Sequence, residues 1–134
     1  MSDVEVLYSP KIGRGYSTTT AHGTKANGFV FVTGQVAVKP GEHGVEARGE
    51  IGEMGTLEEQ TVRVMENVKA ILAEAGTTLA HVVKRNVYLT HAGDFDAVHA
   101  VLERYFQPLA TTTVVAGLIP PSARLEIEVI AVLP

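Results

Sequence analysis

At 134 residues and 14.3 kDa, with 46% hydrophobic and 19% charged residues, the chain is sized for a single domain, residues 1–134, around one two-layer core. No apolar run approaches the roughly 20 residues that span a bilayer, and the start Met1-Ser2-Asp3-Val4-Glu5 has acids where a secretory signal has bases, so a cytoplasmic protein without a membrane partner is expected. The absence of cysteine excludes disulfides, a thiolate nucleophile and thiolate metal sites, and a formal charge of −4 with scattered Lys and Arg argues against nucleic acid as a partner.

Ser17-Thr18-Thr19-Thr20-Ala21-His22 is rich in β-branched residues and reads as a strand, and Gly28-Phe29-Val30-Phe31-Val32-Thr33 reads as another. Gly23-Thr24-Lys25-Ala26-Asn27-Gly28 supplies turn residues between them, which predicts a hairpin. Lys39 to Gly55 has little periodicity and reads as a loop. Thr56 followed by Glu59 is a capping-box pattern, and Leu57, Thr61, Val64, Val68, Ile71, Leu72 and Ala75 recur at helical spacing until Gly76 stops the run. A strand over Val82 to Thr90 is expected to put Val83, Val87 and Leu89 on one face and Lys84, Asn86 and Tyr88 on the other. Asp94 is placed to cap a helix with apolar positions Phe95, Val98, Val101, Leu102, Tyr105 and Phe106, ending before Pro108. Strands over Thr111 to Leu118 and Arg124 to Leu133, separated by Pro120-Pro121-Ser122, close the chain.

This order gives an α+β fold in which two helices cover one face of the sheet. The other face also carries apolar positions, so self-association is expected to bury it.

The last strand holds the main chemical signal. Residues two apart share a face, so Glu126 and Glu128 point one way while Leu125, Ile127, Val129 and Ala131 point the other. An acid on a core strand calls for a partner or a shifted pKa. The plain alternative is an ion pair with Arg124, or with Lys84 or Arg85 on a neighbouring strand. Thr33-Gly34-Gln35 follows an apolar strand, where glycine admits a ligand or another backbone; a β-bulge explains it nearly as well. Thr111-Thr112-Thr113 offers hydroxyls but is also an ordinary strand former. Gly13-Arg14-Gly15-Tyr16 lacks the rest of a phosphate loop, and His22, His43, His81, His91 and His99 show no metal spacing, so no metal site is expected.

Several of these segments together resemble the RidA/YjgF family. They are Phe31-Val32-Thr33-Gly34-Gln35, the helix from Gln60 to Gly76, Val87-Tyr88-Leu89-Thr90 with Asp94-Phe95, and Leu125-Glu126-Ile127-Glu128-Val129-Ile130-Ala131. The resemblance runs from about Tyr16 to Leu133. It implies a chorismate-mutase-like subunit with a mixed sheet, a homotrimer with ligand clefts between subunits, and hydrolysis of reactive enamines and imines such as 2-aminoacrylate to a 2-keto acid and ammonia. It implies no metal or organic cofactor. By position, Tyr16 would line the cleft, Thr33 and Gly34 would border it, and Glu126 would hold or activate water.

One departure bears on substrate. Active imine deaminases of the family carry a carboxylate-gripping arginine in a Pro-Ala-Arg-Ser/Thr motif, whereas this chain reads Leu109-Ala110-Thr111-Thr112-Thr113 and places Thr111 there. His99 stands where asparagine is common, and Gly15 where proline is common. The expectation is an enamine or imine hydrolase acting on something other than simple 2-imino acids, with Thr111, Thr113 and the Thr33-Gly34 backbone as donors and Arg14 or Arg124 as substitute charge. A non-catalytic small-molecule-binding homotrimer is the alternative, and a ribonuclease or translation inhibitor fits the acidic balance least.

Overall fold

The computed structural model of the chain describes residues 3–14, 17–39, 42 and 54–134. Its strands are β1 (Glu5–Leu7), β2 (Gly23–Ala26), β3 (Phe29–Gln35), β4 (Val82–Leu89), β5 (Ala110–Val115) and β6 (Leu125–Val132), and its helices are α1 (Leu57–Ala75) and α2 (Phe95–Leu102). The strands make one mixed sheet in the order β1-β2-β3-β6-β4-β5, with only β4 and β5 parallel. That parallel pair needs a crossover, and α2 supplies it. The α+β reading therefore holds, and β6 is a central strand.

Helix α1 forms where expected because its first turn closes on itself: Glu59 N–H donates to the Thr56 hydroxyl and Thr56 N–H to the Glu59 carboxylate, both at 3.1 Å. Gly76 ends it in the left-handed conformation at φ 88°. Its stripe of Val64, Val68, Ile71 and Leu72 is fully buried against the core face of β3 and β6, where Leu125, Ile127, Val129 and Ala131 alternate inward. Each such aliphatic side chain contributes about 1.5–3 kcal/mol by leaving water. Buried Gln60 ties the helix to the turn before β6, donating to the Gly55 and Ser122 carbonyls and accepting from Arg124 N–H.

Several expectations are corrected. The segment 17–22 is no strand: Ser17 Oγ accepts from Thr19 N–H at 3.0 Å and shares a proton with its hydroxyl, a local polar turn that outcompetes β propensity. The residues expected to turn are instead β2, held between β1 and β3. The hairpin is tighter than expected, with Asn27 (φ 55°) and Gly28 (φ 83°) as its two loop residues. Strand β1 adds to the expected elements at Glu5–Leu7.

On β4 an irregularity sets Val82 opposite Ala131 and Lys84 opposite Ile130, so Val82 is buried and Val83 is 46% exposed. Arg85 lies on the core side with Val87 and Leu89, as alternation from those two residues requires. Asp94 does not cap α2 with its side chain; its carboxylate accepts from Arg124 Nη2 at 2.8 Å. The helix stops at Leu102, with Tyr105 and Phe106 packing on the core beyond it, and β5 stops at Val115. The loop expected from Lys39 to Gly55 lies mostly outside the described residues. Among those described, no helix is long and apolar enough to cross a membrane.

Candidate functional site

The site begins as a miscount between two strands. Val32 pairs with Val129 and Gln35 with Ile127, so β3 spends three steps where β6 spends two, and Thr33 and Gly34 form a bulge. The bulge and the close approach are one feature. A Cβ on Gly34 would stand 2.1 Å from Glu126 Oε2, so the carboxylate lies directly over the bare glycine backbone.

Neighbouring groups fix the bulge. Thr33 Oγ1 donates to the Ala21 carbonyl at 2.6 Å and Thr33 N–H to the His22 carbonyl at 3.0 Å. His22 Nδ1 accepts from Ser9 N–H at 2.9 Å, which leaves Nε2 to donate to Gly13 O at 3.1 Å. Burial first, and then the Arg14 charge, hold His22 below the ordinary histidine pKa, opposed by the Gly13 bond. Downstream, buried Asn67 on α1 donates to the carbonyls of Val36 and Val38. A recess of about 40 Å³ lies here, lined by Gly13, Arg14, His22, Thr33, Gly34 and Gln35.

The two glutamates of β6 have different surroundings. Glu128 Oε1 accepts from Tyr88 Oη and, at 3.1 Å, from Asn86 Nδ2. The bond from Tyr88 to Glu128, more than any other cause, pushes the Tyr88 pKa up to about 12. Neither glutamate takes the ion pair considered from sequence, since Arg124 is engaged with Asp94. Glu126 receives no hydrogen bond from a described residue. Its carboxyl is raised above the ordinary range by desolvation and then by the neighbouring Glu128 charge.

The two threonines expected at the site lie elsewhere in the chain. Thr111 is registered with Arg85 and Thr113 with Val87, which puts both on the helix side of the sheet. Thr111 Oγ1 donates to Leu109 O at 3.0 Å, and Thr113 Oγ1 meets His99 Nε2 at 3.3 Å. Within one chain, then, Thr33, Gly34 and Glu126 come together, while Thr111 and Thr113 form a separate group at the β5 edge. Tyr16 and Gly15 lie outside the described residues. Of the substitute cations, Arg14 borders the recess and stacks 3.7 Å over the Tyr8 ring. Sequence reasoning passed over His22 and Asn67 as site supports. A buried position for polar Asn67 on the apolar stripe of α1 was the one available signal. Among the described residues no three metal-ligating side chains cluster.

Comparison with known proteins identifies the family. The family model described as Endoribonuclease L-PSP matches residues 10–133. A RutC family protein of Saccharolobus solfataricus is 37% identical over 129 residues, covering 95% of this chain and 96% of its own. The crystal structure of yeast Mmf1 superposes with a TM-score of 0.82 at 28% identity, covering 98% and 99% of the two chains. That of E. coli TdcF with bound serine gives 0.79 at 25% identity, covering 97% and 99%. With residues 10–133 matched to the family model, the chain belongs to the Endoribonuclease L-PSP family, the RidA/YjgF group that its motifs resemble.

Proposed function

We propose that this protein is a cofactor-independent hydrolase of the imine and enamine deaminase class, with Glu126 as the group that moves protons for water. The observation that carries this reading is the desolvated Glu126 carboxylate, free of hydrogen bonds from described side chains and lying over Gly34. A carboxyl whose pKa is raised toward neutrality can take a proton from water and return it within one cycle. Water adds to the imine carbon and one of its protons passes through Glu126 to nitrogen, giving a carbinolamine. The remaining hydroxyl proton then passes by the same carboxylate to nitrogen as the C–N bond breaks, releasing ammonia and leaving a carbonyl; an enamine first tautomerises to the imine.

The reading includes a cytoplasmic homotrimer. The sheet face opposite the helices leaves Phe29 and Phe31 41% and 44% exposed beside Glu128 and Ile130, an apolar surface that a second subunit's sheet would bury. Such packing would bring a neighbour's Thr111 edge toward Glu126, and Tyr16 would line the resulting cleft. Serine bound to TdcF supports a small ligand derived from an amino acid. Thr111 supplies no cation, and its hydroxyl already donates to Leu109 O, so the substrate's acid end must be met in another way.

The test is ammonia and keto-acid release from freshly generated 2-aminoacrylate and from imines lacking the carboxylate, with Glu126→Gln as control. Turnover abolished by Glu126→Gln supports the proposal; rates equal to buffer on every imine sink it. Saturable ligand binding without turnover would leave the non-catalytic binding trimer, which the acidic balance of the chain favours over the remaining family label of ribonuclease.

A further inference from the structure

A guanidinium whose Nε is sealed from water ordinarily gives that N–H to a carboxylate or a carbonyl, because an unpartnered buried donor on a charged group is costly. Arg85 is 8% exposed, and no described residue gives it a hydrogen bond or an ion pair. Its Nε is sealed from solvent without an acceptor. Its Cζ stands 4.8 Å from the centre of the Phe106 ring, a contact that orients the guanidinium plane and satisfies none of its N–H groups. The side chain lines a cavity of about 160 Å³ with His99, Leu102, Phe106, Gln107 and Glu103.

We infer that Arg85 is the anchor of a binding site for small carboxylate anions of the 2-oxo and 2-imino acid class, on the helix side of the β4–β5 edge. The fork of N–H donors matches a carboxylate in two parallel bonds. His99 supplies a neutral ring beside it, because burial first and the Arg85 charge second depress its pKa against the opposing pull of Asp96 and Glu103. A neutral imidazole leaves Arg85 as the one full positive charge that the anion meets in the cavity. Arg85 is also the register partner of Thr111, so the guanidinium sits one strand inward of the position that lacks a cation. In this respect the inference deepens the hydrolase reading and rests on it for the substrate class.

Glu103 is the internal competitor. It lines the same cavity, and if it closed onto Arg85 in solution the guanidinium would be satisfied without a ligand.

Pyruvate serves as the probe, with pyruvamide as its uncharged counterpart. Titration calorimetry at low salt is run on the wild type, Arg85→Met and Arg85→Lys, and the arginine ¹⁵Nε resonances of the wild type are followed through the same titration. Pyruvate is expected to bind the wild type and move the Arg85 resonance, and to bind Arg85→Met about tenfold or more weakly, as the loss of a charge-assisted pair requires. Arg85→Lys, which keeps the charge and loses the fork, is expected to fall between them, and pyruvamide not to bind. Equal pyruvate affinity in Arg85→Met overturns the inference. So does a wild-type Arg85 resonance that ignores pyruvate yet shifts on Glu103→Gln, and this readout stands even if Arg85→Met fails to fold. Pyruvate binding with no imine turnover sinks the hydrolase reading alone; imine turnover with no response at Arg85 sinks the anchor alone.

Discussion

Tyr88 donates its phenolic hydrogen to Glu128 across the β4–β6 pair, and that bond sets apart two carboxylates that share a face of one strand. Glu128 is an engaged acceptor, bonded also by Asn86, whereas Glu126 receives no hydrogen bond from a described residue. Replacing Tyr88 by Phe leaves Glu128 with the Asn86 donor alone. A loss of about 1.5–3 kcal/mol in chemical denaturation is expected, typical of one hydrogen bond to a charged group. An unchanged midpoint would show that water replaces the phenol at no cost.

Glu126 gives a pH signature whose sign follows from its raised pKa. The native state holds this proton more tightly than the unfolded chain does, so the stability it contributes is complete below the unfolded value near 4.5 and is lost as pH rises through the native value. Glu126→Gln, which cannot ionise, should therefore melt higher than the wild type at pH 8, with the gap closing toward pH 4. Under the proposed mechanism the same change lowers imine hydrolysis by about 10²–10⁴-fold. A melting difference that does not vary with pH would show that the carboxyl is not desolvated.

Gly34→Ala tests the close approach directly. The added methyl would overlap Glu126 Oε2 and force the carboxylate aside while leaving the rest of the chain alone. Displacement by about 1 Å is expected to lower turnover by about a hundredfold with little change in melting temperature. Retention of full activity would mean that the carboxylate over Gly34 is not the working arrangement.

Asn67 holds the chain just beyond the bulge, donating to Val36 O and Val38 O from a buried position on α1. Asn67→Leu strands both carbonyls, and a loss of about 2–4 kcal/mol is expected in urea denaturation. Hydrogen exchange at Val36 to Val38 should accelerate more than at β6. Uniform acceleration would point to a global effect instead.

For the proposed assembly, Phe31→Lys places a charge on the exposed sheet face, 44% accessible in one chain. Sedimentation equilibrium is expected to give three copies for the wild type and a smaller species for the variant. A wild type that sediments as a monomer removes the subunit cleft.

Local interactions made much of this fold legible. The Thr56 and Glu59 pair, the apolar stripe up to Gly76 and the alternation of β6 need only neighbouring residues to be read, and each stands where expected. The failures lie where pairing partners decide. Gly23 to Ala26 has poor strand propensity and becomes a strand because β1 and β3 flank it, while Thr18 to Thr20 has good propensity and turns around Ser17. The Glu126 face was readable from period two. The facing of Thr111 and Thr113 was not, since a run of three threonines has no apolar alternation to set its parity. Arg85 shares the apolar face of Val87 and Leu89 by period two, and only its charge argues for the surface.

The surplus residue in β3 does nothing for the sheet itself. Shortening the chain by one position at Thr33 or Gly34 would keep Val32 across from Val129 and Gln35 across from Ile127 in an unbroken ladder, with the same apolar layer beneath. Under the proposed mechanism scaffold and chemistry are separable by a single codon: deletion of Gly34 is expected to leave a folded chain in which Glu126 has no bare backbone to lie over.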